Sequence, residues 1–91
     1  MGYYQVEPER IGEAEHAFRA AGAEIAELDG FVRGVILADS ESGTIVTLTL
    51  WESHAAMEAS EVRAASLRQR AVKAGDGGVV RVERYSVVTQ L

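Results

Sequence analysis

Cysteine is absent from this 91-residue chain, which excludes disulfides and thiol catalysis. The only imidazoles are His16 and His54, too few for a dedicated zinc site, so no resident metal is expected. Apolar runs such as Val35 to Ala38 fall far short of a bilayer span, and the first residues lack the basic-then-apolar pattern of a secretion signal. A cytoplasmic protein with no membrane partner is expected. Positive charge is scarce. The net charge is -5, and residues 1 to 62 carry 3 basic against 12 acidic groups, whereas residues 63 to 91 carry 6 against 2. With a pI near 4.9 and no interleaving of basic residues with aromatics, nucleic acid is not an expected partner.

What is present is patterned. The 47% apolar content is spread along the chain without repeats or low complexity, as in one globular domain over residues 1–91. Tyr3 to Val6 reads as a short strand. Pro8 suits the first turn of a helix, and Ile11, Ala14, Phe18, Ala21, Ile25 and Leu28 repeat at the three-four spacing of one helical stripe, with Gly30 as the stop. Phe31–Ala38 and Thr44–Trp51 are rich in β-branched and aromatic residues and flank the polar, glycine-containing segment Asp39–Gly43, which predicts an antiparallel hairpin. Ser53 is an N-cap for a helix running to Lys73, with a break expected near Ser60 and an end at Gly75. Val79–Val88 alternates as a closing strand.

This β-α-β-β-α-β order predicts an α+β, ferredoxin-like fold with a four-stranded antiparallel sheet. On Phe31–Ala38 neither face reads as solvated: Val32, Ile36 and Ala38 fall on one side, Phe31, Val35 and Leu37 on the other. Two helices cover one face of such a sheet, so the second face needs another apolar surface, and a homodimer is the expected supply.

Three segments carry a family resemblance. Gly30-Phe31-Val32-Arg33-Gly34, Trp51-Glu52-Ser53-His54-Ala55-Ala56-Met57-Glu58-Ala59-Ser60 and Val82-Glu83-Arg84-Tyr85-Ser86-Val87-Val88 resemble the second strand, the third-strand-to-helix junction and the closing strand of the antibiotic biosynthesis monooxygenase-like family of dimeric α/β-barrel proteins. The resemblance implies that the sheet pairs with a second copy into an α/β barrel, with a pocket in each subunit between helices and sheet. Members include cofactor-independent oxygenases of aromatic polyketides and haem-degrading enzymes, so fold membership leaves the activity open.

On that resemblance Trp51 is a candidate pocket wall, its flat ring packing on a flat ligand; the alternative is that it seals the hinge between sheet and helix. His54, one turn into the second helix, is the candidate proton carrier, histidine being the side chain that ordinarily exchanges protons near neutrality. Haem ligation is disfavoured, because Ser60 to Val62, where haem-degrading relatives place their ligand, holds no histidine. Asparagine is missing from the whole chain, whereas oxygenase and haem-degrading relatives use one on the first strand. Tyr3 or Tyr4 would then supply the polar contact there, and Tyr4, Phe18, Phe31, Trp51 and Tyr85 are the candidate substrate-binding residues. Arg63, Arg68, Arg70 and Lys73 read as a solvated face offsetting the helix dipole, with one arginine reaching the pocket mouth as the weaker alternative. Gly75–Gly78 follows a helix rather than opening one and is no phosphate loop. The resemblance leaves a monooxygenase of a flat aromatic or quinone-like molecule working without a bound cofactor, against a non-catalytic metabolite-binding or assembly module, with haem binding or degradation as the weaker third reading.

Overall fold

A computed structural model describes all 91 residues. Strands β1 (Gly2–Gln5), β2 (Phe31–Asp39), β3 (Thr44–Trp51) and β4 (Gly78–Val82) and helices α1 (Ile11–Ile25) and α2 (His54–Lys73) follow one another in β-α-β-β-α-β order. The strands form one antiparallel sheet in the order β2-β3-β1-β4, the ferredoxin-like arrangement expected.

Helix α1 buries Ala14, Phe18, Ala21 and Ile25, with Ile11 and Leu28 at the core margin, so the three-four stripe is the face laid on the sheet. Its start and stop differ from expectation. Pro8–Arg10 forms a separate 3-10 turn before α1, and the helix ends at Ile25, with Gly30 (φ 82°) serving the later turn into β2. Helix α2 opens where Ser53 accepts a hydrogen bond from the Ala56 amide at 3.0 Å and runs unbroken through Ser60. Ser60 is buried there and its hydroxyl approaches the Asp29 carbonyl at 3.5 Å, so the side chain is accommodated without interrupting the helix.

Against the sheet, Tyr4, Ile45 and Phe18 are almost completely buried, and the Tyr4 and Phe18 rings meet at 5.1 Å between centroids. Two strand expectations need correction. The register shifts between Phe31 and Arg33, and this bulge turns Phe31 onto the helix-covered face with Trp51, Gly34 and Ile36, away from Val35 and Leu37. Strand β4 stops at Val82 instead of Val88: it pairs only with β1, the Glu83 amide takes the Met1 carbonyl at 2.7 Å, and later residues have no neighbouring strand. No helix is long and apolar enough to cross a membrane.

Candidate functional site

Between the helices and the sheet lie two clefts that meet at Thr47, Leu48, Thr49 and Arg68. The larger, about 500 Å³, is bounded by Phe18, Gly22 and Ile25 of α1 and by Phe31, Gly34 and Ile36 of β2. The smaller, about 290 Å³, is bounded by Trp51, Met57, Glu61, Val82 and Tyr85. Beside it a hollow of about 220 Å³ shares Trp51, Met57 and Tyr85 and adds Ser53 and His54.

Alternation along β3 explains the lining. Ile45, Thr47, Thr49 and Trp51 all point to the helix side, so beyond Ile45 the strand offers hydroxyls and an indole instead of aliphatic groups. The Trp51 indole N–H donates to Thr49 Oγ1 at 3.1 Å, and its ring meets Phe31 edge-on at 5.5 Å and 87°. These contacts fix the plane of the indole where it borders the smaller cleft.

The side chains singled out in the sequence are dispersed. Trp51 and Tyr85 border the smaller cleft, whereas Phe18 and Phe31 border the larger. Tyr4 lies 1% exposed in the core against Phe18. His54 sits at the start of α2 with its side chain 66% exposed, its Nε2 3.0 Å from Glu58 Oε1, beside the hollow next to Trp51. Tyr85 donates its hydroxyl to the Glu83 carboxylate, which also accepts from Arg81 Nε at 3.0 Å. Those two bonds, the tyrosine's first, hold the Glu83 carboxyl below its usual range, and the same carboxylate pushes the Tyr85 phenol up.

Arg68 corrects the reading of a solvated basic face. Arg63, Arg70 and Lys73 are exposed, but Arg68 is only 7% exposed and borders both clefts. The signal was its helical position: Ala64, Leu67, Arg68, Ala71 and Val72 share one face at three- and four-residue spacing, so Arg68 falls inside the buried stripe. Its Nη2 lies 3.7 Å from Glu61 Oε1, an oxygen that also accepts from Arg84 at 2.7 Å, and its Nε has no hydrogen-bond partner. Glu61, Thr47 and Thr49 were likewise missed. Their signal is polarity on faces otherwise turned to the core.

Among solved structures the chain is similar to SnoaB, a cofactor-independent oxygenase from Streptomyces nogalater, with a TM-score of 0.60 and 20% identity over 92% of this chain and 90% of that one. At that identity the likeness carries the fold. No curated protein matches the chain. The model of one family, antibiotic biosynthesis monooxygenase, matches residues 1–73, and the chain belongs to that family.

Proposed function

We propose that this protein is a cofactor-independent monooxygenase of a flat, electron-rich aromatic or quinone-like molecule, and that it works as a homodimer. The observation that carries the reading is Trp51: a half-buried indole, held by Thr49 and Phe31, forms a flat wall of a cleft in a chain of this family. SnoaB, whose fold this chain shares, is itself a cofactor-independent oxygenase.

The chemistry asks little of the protein. An acidic C–H between aromatic rings loses a proton, and the resulting enolate passes an electron to O2. The radical pair joins to a peroxide, which takes up a proton and loses water to leave a ketone. One oxygen atom enters the product and the other leaves in water, with all electrons drawn from the substrate. The protein need only orient the ring and accept the first proton. Trp51 supports the first task; His54, backed by Glu58 at the edge of the neighbouring hollow, suits the second.

The outer face of the sheet supports a dimer. Val35 and Leu37 are more than half exposed, and Leu48 and Leu50 alternate with the helix-facing Thr47, Thr49 and Trp51 on the neighbouring strand β3. The chain exposes 5794 Å², against about 5200 Å² for a compact monomer of its mass.

The test is oxygen uptake with a hydroxylated anthrone under ¹⁸O₂. One labelled atom per product is expected, with Trp51→Ala and His54→Ala each lowering kcat/KM by about 10²-fold or more. Binding of the anthrone without uptake above the uncatalysed rate would replace the enzyme by a metabolite-binding module, the reading favoured by the missing asparagine.

A further inference from the structure

A guanidinium buried between two clefts with an idle N–H is an unusual use of arginine. Taking a cation out of water is costly unless its charge and donors are matched, and a planar fork of N–H groups is matched best by two oxygens of one anion. Arg68 is 93% buried by its 7% exposure, borders both clefts, and leaves its Nε unpartnered. Its one acidic neighbour does not complete it. Glu61 Oε1 stands 3.7 Å from Arg68 but 2.7 Å from Arg84, so one carboxylate is divided between two guanidiniums and the trio keeps a net positive charge. Thr47 and Thr49 border both clefts together with Arg68, among apolar and aromatic lining residues.

We infer that Arg68 is the receptor for an anionic oxygen pair of the ligand, and that the clefts select flat molecules bearing a carboxylate, or an enolate flanked by a second oxygen, over neutral ones of the same shape. This rests on the pocket reading above and narrows its substrate class. Arg68 binds and orients; nothing in its placement requires it to exchange a proton.

The experiment is isothermal titration calorimetry with 2-naphthoate and its neutral counterpart 2-naphthamide, on the wild-type protein and on Arg68→Met and Arg68→Lys. The wild type should bind naphthoate about 10–100-fold more tightly than the amide, the range expected for hydrogen bonds to a charged group. Arg68→Met, which replaces an incompletely paired buried cation by an apolar chain, should keep the amide affinity and lose the preference. Arg68→Lys retains the charge without the fork, and should show a preference between the two. Equal binding of both probes by the wild type overturns the anion receptor and leaves the pocket standing. A naphthoate preference undiminished in both variants overturns the assignment to Arg68. Binding of neither probe removes the pocket reading and this inference together.

Discussion

Phe31 and Trp51 are register partners across the β2–β3 ladder, and their rings meet edge-on at 5.5 Å on the helix-covered side of the sheet. The bulge after Phe31 brings this about, since strict alternation from Val35 would have sent the phenyl ring to the opposite face. One irregularity in the ladder thus joins an aromatic of the larger cleft to the indole of the smaller.

That pair should be measurable as a coupling. Phe31→Ala and Trp51→Ala, singly and together, are expected to show a coupling energy of about 0.5–1.5 kcal/mol in urea denaturation. Simple additivity would mean that the two rings are neighbours without mutual support.

Two glycines should respond in opposite directions to alanine. Gly43 has φ 76°, and a Cβ there would lie 2.2 Å from the Val6 carbonyl oxygen, a backbone atom that cannot swing aside. Gly43→Ala is expected to cost more than about 2 kcal/mol. Gly12 lies in α1 with nothing within 4 Å of its Cβ position, and Gly12→Ala should add about 0.5–1 kcal/mol. Thermal melts of the two variants decide both.

The proposed homodimer can be challenged on the outer face of β2. Leu37 is 55% exposed and faces away from the helices, so Leu37→Arg leaves the core of the protomer untouched. Light scattering should give twice the 9.8 kDa chain mass for the wild type and the single-chain mass for the variant. A wild type that is already monomeric leaves the outer face without its cover and ends the dimer reading.

The Glu83–Tyr85 contact predicts a pH signature at both ends of the scale. The Glu83 carboxyl is held below its usual value, so its contribution is present above the ordinary carboxylate range and disappears as pH falls through the lowered value. The Tyr85 phenol is raised, so the same contact persists below the ordinary phenol range and is lost as pH rises through the raised value. Tyr85 is exposed and Glu83 only half-buried at the surface, so the effect on overall stability is small. NMR titration of the Tyr85 ring should show its phenol returning to the ordinary range in Glu83→Gln, and no change on that substitution would show the bond is not made in solution.

Arg68 and the closing strand mark the limits of reading the chain locally. The burial of Arg68 was written in its spacing from Ala64 and Val72, yet its charge class and the neighbouring Arg63, Arg70 and Lys73 argued for solvent. Charge is a strong prior for exposure, and it fails where a helix face must meet a cleft instead of an apolar wall. The β-branched and aromatic content of Val79–Val88 continues past Val82, but only Gly78–Val82 has β1 beside it. Trp51, singled out through the segment that begins with it, borders a cleft, whereas Tyr4 carried no sign that it would be spent on the core against Phe18.

What the sequence determined by itself was the order of elements and the covered face of α1, because helical and strand periodicities are properties of neighbours along the chain. The tertiary structure alone decided the side to which Phe31 turns, the length of β4 and the company of Arg68. Each depends on a partner distant in sequence: the bulged ladder with β3, the extent of β1, and the clefts formed where α1 and α2 close over the sheet.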